Sequence, residues 1–352
     1  MPNTKVNNLG IGNYPVGTNN VALGTSALSG ASLTGGSNVA VGTSALTSNT
    51  TGSCNIGIGG NSLRCSTSGL ENVGIGACAL EANTTGCYNV AVGGIAGFLN
   101  TTGSNNVAIG RLALRSNTTA SCNTAVGSQA LICNTTGSTN TAVGFNALNK
   151  NTAADNDAFG SIALACNTTG TQNTAIGSGT LAQQTTPNYN YASGSYALYA
   201  VTTGCNNLGV GTLAGVTGLT PGGIVNITTE SNRIVMGNNG HTCAQIKIAW
   251  TVTSDARDKT CIDVVPHGLC FVKQLNPISF FYKKSREKNF PTGRKRYGFK
   301  AQDILPLEQG DAVIISNDEP EKLQFNESSL IPVLVNAIKE LTAKVEALEN
   351  KS

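Results

Sequence analysis

A seventeen-residue repeat governs most of this chain. The segments NVAVGTSALTSNTTGSC, NIGIGGNSLRCSTSGLE and NVGIGACALEANTTGCY follow one another without a break from Asn38. Leading asparagines recur at Asn38, Asn55, Asn72, Asn89, Asn106, Asn123, Asn140, Asn156, Asn173, Asn190 and Asn207, and every step is 17 residues except one of 16 between Asn140 and Asn156. Degenerate units begin at Asn8 and Asn20. So short a fixed period marks a solenoid, in which each unit is one coil that buries nothing alone and must stack on its neighbours. Within a unit, N-V-A-V-G alternates with period two, which predicts a strand of about four residues. The N-T-T-G tetrad reads as a turn, with glycine and asparagine tolerating positive φ. Seventeen residues leave no room for a strand plus a helix, so the expected fold is mainly β, a β-roll or β-helix. At about 4.8 Å per stacked strand, thirteen coils would form a rod of about 60 Å.

The expected filling of the coils is the recurrent alanine and leucine, with the strand valines beside them: Ala45 and Leu46, Ala79 and Leu80, Ala113 and Leu114, Ala130 and Leu131, Ala147 and Leu148. Such a core is thin, and thin cores are hard to stabilise alone. Association of several chains is the natural remedy. The N-V-A-V-G units resemble the head repeats of trimeric bacterial adhesins, and that resemblance, over some 200 residues, implies three chains packed around an axis.

Charge divides the chain. Residues 1–223 hold five Lys/Arg and four Asp/Glu, so 32 of the 41 charged residues fall in the last 129 positions, with a boundary expected near residue 224. A net charge of +3 implies no polyanionic partner for the whole chain. The start MPNTKVNNLGIGNYP has no basic segment followed by an apolar one, and no run of 18 apolar residues exists, so neither a secretory signal nor a membrane span is expected. The eleven cysteines form no CxxC pair and scatter over several phases of the repeat. They are expected to be reduced thiols that replace serine or alanine, and no metal or other cofactor is expected. Asn-Thr-Thr also matches a glycosylation sequon, but the turn reading accounts for it.

After Pro221-Gly222-Gly223 the repeat stops. Residues 224–253 read as a β-structured neck with strand-like stretches at Ile234–Met236 and Ile246–Trp250. Residues 254–352 read as a small α+β domain ending in a helix that starts near Ser328–Ser329, a serine cap. Within 330–349, Ile331, Leu334, Ile338, Leu341, Val345 and Leu348 recur at spacings of 3, 4, 3, 4 and 3, the seam of a short coiled coil. The segment KKSREKNFPTGRKR, residues 283–296, holds seven Lys/Arg and reads as a solvated hairpin loop rather than a nucleic-acid site.

Four segments in order, S-D-A-R-D-K at 254–259, L-N-P-I-S-F-F-Y-K at 275–283, G-F-K-A-Q-D at 298–303 and S-L-I-P-V-L-V-N-A-I-K-E-L at 329–341, resemble the C-terminal intramolecular chaperone domain of phage tail fibres and spikes, classed as the S74 peptidase family. The resemblance implies that three copies of the domain assemble, direct folding of the β-structured fibre upstream, and then cut themselves off between Thr253 and Ser254. A serine hydroxyl is a weak nucleophile until a base takes its proton. Lysine acts as that base only as the neutral amine, which burial or neighbouring positive charge favours. The expectation is therefore that Ser254 is the nucleophile and Lys259 the general base, with Asp255 or Arg257 orienting the loop. Ser254 would attack the Thr253 carbonyl, form an ester by an N-to-O acyl shift, and leave water to hydrolyse it. Asp258 departs from the family pattern, and an acid there would hold the Lys259 ammonium charged. His241 and His267 are too isolated for a triad or a metal site.

Three functions compete. The first is a viral or phage fibre for host attachment, a homotrimer carried on the virion that meets other virion components and a host cell-surface receptor, glycan or protein. The second is a bacterial trimeric surface adhesin using the same chaperone, or a fibre that never cuts. The third, a polysaccharide-degrading spike, is poorly supplied. Glycoside hydrolysis takes two carboxylates, and the repeat holds four acids, among them Asp155 and Asp157.

Overall fold

The computed structural model describes residues 19–216, 226–238, 254–283, 290–310, 312–317 and 323–351. The chain falls into two units, Met1–His241 and Thr242–Ser352. The first is a parallel β-solenoid. Thirteen three-residue strands, from β1 (Val21–Leu23) to β13 (Ile234–Met236), stack in sequence order into one sheet. The register follows the repeat: Val39 pairs with Ile56, Val73 with Val90, and Val107 with Thr124. The sheet continues to Met236, past the drop in repeat regularity near residue 224. The strand expected at Ile246–Trp250 lies outside the described residues.

The alternation N-V-A-V-G faces the opposite way from the expected filling. In strand β2 (Val39–Val41) the alanine points in and is fully buried, while both valines are half-exposed. The same pattern holds through Ala91, Ala108, Ala125 and Ala175. The outer side of the sheet therefore carries Ile58, Ile75, Ile109, Phe159, Ile176 and Val210, each more than a third exposed. The cause is the width of the coil. Two chain segments pass so close that the inner strand position holds alanine or glycine from β1 to β12, and valine only at Val235 of the last strand; at Gly74, an added Cβ would lie 2.6 Å from Ser62 Oγ. The expected alanine–leucine pairs do fill the interior, Ala45, Leu46, Ala113 and Leu114 being at most 1% exposed.

Turning the chain requires left-handed backbone at unusual residues. The glycine ending each strand takes a positive φ, as at Gly59 (+128°), where a Cβ would meet the Gly76 carbonyl at 2.6 Å. Most coils also place a leucine in left-handed backbone, as at Leu46, Leu80, Leu114 and Leu148 with φ between 50° and 54°, while Gly97 and Gly215 take that site in two coils. Such a conformation costs about 1–2 kcal/mol for a residue with a Cβ. Complete burial of the leucine contributes about 1.5–3 kcal/mol, so packing offsets the strain.

The N-T-T-G tetrad corrects the expectation of a positive-φ turn. None of Asn49, Thr50, Thr51 and Gly52 is left-handed. Asn49 is instead fully buried and donates Nδ2 to the Gly52 carbonyl at 2.9 Å. Asn100, Asn117 and Asn134 each donate Nδ2 to the Oδ1 of the tetrad asparagine one coil earlier, at 2.8, 2.7 and 3.2 Å. A second ladder runs through the leading asparagines: the Asn89 N–H and Nδ2 both reach Asn72 Oδ1, at 3.0 and 3.1 Å. Buried amides are costly unless hydrogen-bonded, and stacked coils supply most of these with a partner, the Oδ1 atoms of Asn49, Asn134 and Asn167 being exceptions. The asparagines of the Asn-Thr-Thr segments are thus interior groups, closed to a glycan in the folded chain.

The second unit is small and mixed. A hairpin of β14 (Ile278–Lys283) and β15 (Pro291–Gly298) carries the arms of the basic segment, whose residues 284–289 lie outside the described ones. Helix α1 (Leu269–Val272), helix α2 (Ala301–Ile304), a short pair β16 (Ile315–Ser316) and β17 (Gln324–Phe325), and helix α3 (Glu327–Glu349) complete it. Phe271, Ile304, Ile314, Ile315, Leu330 and Val333 form the core. Helix α3 begins at Glu327 after Asn326, earlier than the expected serine cap; Ser328 Oγ donates to Asn326 Oδ1 at 2.7 Å.

Candidate functional site

Five residues separate Ser254 from Lys259, and the local fold makes that spacing useful. Ala256–Asp258 form one 3-10 turn, closed by the Asp258 N–H on the Asp255 carbonyl and the Lys259 N–H on the Ala256 carbonyl, both 3.2 Å. Asp255 caps it: its Oδ1 accepts the Arg257 N–H at 2.9 Å, and Arg257 Nη2 reaches Oδ2 at 2.5 Å. The guanidinium and backbone bonds from Arg257 hold the Asp255 carboxyl below its ordinary range. The turn reverses the chain, and Lys259 Nζ comes to rest 2.8 Å from Ser254 Oγ. Asp255 and Arg257 thus hold the loop that joins the two.

Both ends of that contact are exposed, as are Ala256, Arg257 and Asp258. Among the described residues Asp258 forms no ion pair with Lys259. Thr253, whose carbonyl would be attacked, lies outside the described residues, as does His241. His267 stacks on Phe271 with ring centroids 4.4 Å apart, away from any second titratable partner described. No group of three or more His, Cys, Asp or Glu among the described residues could hold a metal, and ten described cysteines are free thiols. No described helix is long and apolar enough to cross a membrane.

Helix α3 divides its apolar residues into two stripes. Leu330, Val333 and Ala337 are buried against the unit's own core. Ile331, Leu334, Ile338, Leu341, Val345 and Leu348 are 38–69% exposed, so the heptad seam is left entirely free in the single chain. The inner side is pinned by polar contacts: Glu340 Oε2 accepts the Leu269 N–H at 3.0 Å, and Asn336 Nδ2 donates to the carbonyls of Val265 (3.1 Å) and His267 (3.3 Å).

Residues 254–312 match the family model for Peptidase S74, described as chaperone of endosialidase. The chain carries a chaperone-of-endosialidase domain. Its matched segment opens on Ser254 and contains the 3-10 turn, Lys259, helix α1 and the β14–β15 hairpin. A β-solenoid followed by this domain is the build of a tail fibre or spike with its own chaperone. No curated protein and no solved structure matches the chain.

One residue of structural consequence went unread in the sequence. Glu308 is 1% exposed, and its carboxylate accepts the N–H groups of Val313, Ile314 and Ile315 at 2.7, 2.6 and 2.9 Å. The bonds fix the loop between helix α2 and β16. An acid within L-P-L-E-Q-G has no pattern that marks it as buried.

Proposed function

We propose that this chain is a viral or phage fibre for host attachment, assembled from three copies and matured by its own C-terminal chaperone. The domain aligns three chains through the heptad seam of helix α3, registers the solenoid, and is released by cleavage between Thr253 and Ser254. The observation that carries the reading is the 2.8 Å contact of Lys259 Nζ with Ser254 Oγ at the first residue of the chaperone domain. In the working state the hydroxyl donates to the neutral amine. Oγ attacks the Thr253 carbonyl carbon, the peptide nitrogen leaves as the Ser254 α-amine, and water hydrolyses the resulting ester to a carboxylate and the free hydroxyl.

Exposure of the dyad in one chain links cutting to assembly. A hydrated ammonium is a poor base, and desolvation is what favours the neutral amine. Packing of further copies over the turn supplies that desolvation, so cleavage follows assembly rather than preceding it. The outward apolar residues of the solenoid sheet, Ile58, Ile75, Ile109, Phe159, Ile176 and Val210, support the same reading, because exposed apolar side chains aligned on one face suit an interaction surface.

Intact mass of the purified protein tests the proposal. The wild type gives fragments ending at Thr253 and beginning at Ser254, their masses summing to 36.0 kDa plus one water. Ser254→Ala gives an uncut trimer of full-length chains. A wild type that stays uncut and monomeric refutes the reading.

A further inference from the structure

The solenoid holds a cluster of tyrosines in one place. Of eight tyrosines in the chain, Tyr189, Tyr191, Tyr196 and Tyr199 fall within eleven residues. Tyr196 and Tyr199 are fixed against each other, their rings 5.5 Å apart at 59°. The Tyr199 N–H donates to the Tyr196 carbonyl at 3.3 Å, closing a turn between them. The Tyr199 hydroxyl accepts from Gln183 Nε2 at 2.9 Å. Under Tyr196 lies Gly179 of the preceding coil, at φ +67°, where an added Cβ would fall 2.6 Å from the ring. The ring therefore rests directly on backbone, and only glycine leaves that space.

The fold does not require aromatic residues there. The same two sites hold Ser44 and Thr47, Asn61 and Arg64, and Asn146 and Asn149 in other coils. Both tyrosines are half-buried, and exposed Ser178 and Gln183 lie beside them in the preceding coil. Residues 158–229 contain no Asp, Glu, Lys, Arg or His. Preorganised aromatic faces rimmed by amide and hydroxyl groups bind at low entropic cost and fix orientation through a few polar bonds. A sugar ring offers a C–H face to stack and hydroxyls to bond; an anionic one would find no cation in this stretch.

We propose that Tyr196 and Tyr199, with Gln183 and Ser178, form a binding patch for an uncharged glycan. This rests on the fibre reading above and names the class of receptor that the fibre meets. The test presents the purified full chain to a glycan microarray of uncharged, sialylated and sulfated saccharides, then titrates the strongest uncharged ligand by calorimetry. Uncharged glycans are expected to be retained. Tyr196→Ser and Tyr199→Thr, which install residues other coils carry at those sites, are expected to weaken binding by about tenfold or more, with thermal unfolding unchanged. Tyr88→Ser, on a distant coil, leaves affinity within about twofold. Retention of charged glycans only, of a protein ligand only, or of none overturns the patch, as does unchanged affinity in Tyr196→Ser. A processed trimer that binds no uncharged glycan sinks this inference alone, whereas an uncut monomer sinks the fibre reading whatever the array retains.

Discussion

Asn106 is the sharpest point at which to perturb the solenoid. It is 3% exposed, and its side chain makes four bonds. Nδ2 donates to Asn89 Oδ1 at 3.1 Å and to the Ala120 carbonyl at 2.9 Å; Oδ1 accepts the Asn123 N–H at 3.0 Å and Asn123 Nδ2 at 3.3 Å. Asn106→Ala removes them unequally. Asn89 Oδ1 keeps the Asn106 N–H at 3.0 Å, and the Ala120 carbonyl keeps Asn117 Nδ2 at 2.9 Å. The Asn123 backbone N–H and side-chain amide lose this partner while buried. Two orphaned donors at about 1–3 kcal/mol each give about 2–6 kcal/mol. Coils in a solenoid contact only their neighbours, so the loss is local and opens the chain around Asn123 first.

Hydrogen exchange followed by mass spectrometry reads that opening directly. With about 1.4 kcal/mol per tenfold, exchange around Asn123 should accelerate by about thirtyfold to twenty-thousandfold, while distant coils hold their rates. A paired control isolates burial from chemistry. Asn106→Asp and Asn105→Asp make the same change one residue apart, but Asn105 is exposed and left-handed (φ 58°), a site aspartate tolerates. Equal effects from the two, or exchange at Asn123 within about threefold of wild type in Asn106→Ala, would refute the ladder as a source of stability.

Three further outcomes are expected. Ile338→Lys and Leu341→Lys alter residues that are 64% and 51% exposed in one chain, so the domain folds as before by circular dichroism while light scattering shows monomer and processing stops. Glu308→Ala orphans three backbone donors and lowers the stability of the C-terminal unit by about 3 kcal/mol or more, read as a lower calorimetric transition. Because Asp255 titrates below its ordinary range, its hold on the turn is complete above the ordinary carboxylate pKa and is lost as pH falls through the lowered one. Processing should fall off over that acid window, and Asp255→Asn should remove this limb of the pH profile.

The repeat was legible because its period is strict, and so were the stacking and the alanine–leucine filling. The direction of the strand side chains was not. Alternation in N-V-A-V-G states that the two faces differ, and the larger residue is ordinarily the inner one. Here the coil is too narrow for Val39 and Val41, and Ala40 goes in. Asn100 differs from its expected turn role for a related reason: asparagine before Thr-Thr-Gly has the composition of a surface turn, and only a stack of like coils lets this buried amide find its copies Asn83 and Asn117 one turn away. The Ser254–Lys259 pair carries no signal by itself, since serine and lysine five apart are ordinary. Its meaning came from the four segments around it, and the turn that closes the distance became visible only with Asp255 and Arg257 in place.

The narrowness of the coil has a consequence for assembly. Filling the interior with alanine, leucine and amides leaves the valines and isoleucines of most strands outside, Val235 of the last strand being buried instead, so those outer side chains contribute fully only once other chains cover them. Under the three-chain reading, that stripe is nearly the same over five successive levels, Val39 and Val41, Ile56 and Ile58, Val73 and Ile75, Val90 and Val92, Val107 and Ile109, and changes only further along, as at Asp157 and Phe159 or Tyr191 and Ser193. Within those five levels a slip by one coil exchanges valine for isoleucine and changes little, so that stretch cannot choose its own register. The seam of helix α3 can, because six apolar residues end to end meet their copies in one alignment only. Long-range pairing of identical coils is also slow, which favours an aligned start. Under the proposed function, the seam has no further part once the coils are zipped, and a dyad that worked only when covered by neighbouring copies would remove it after alignment rather than before.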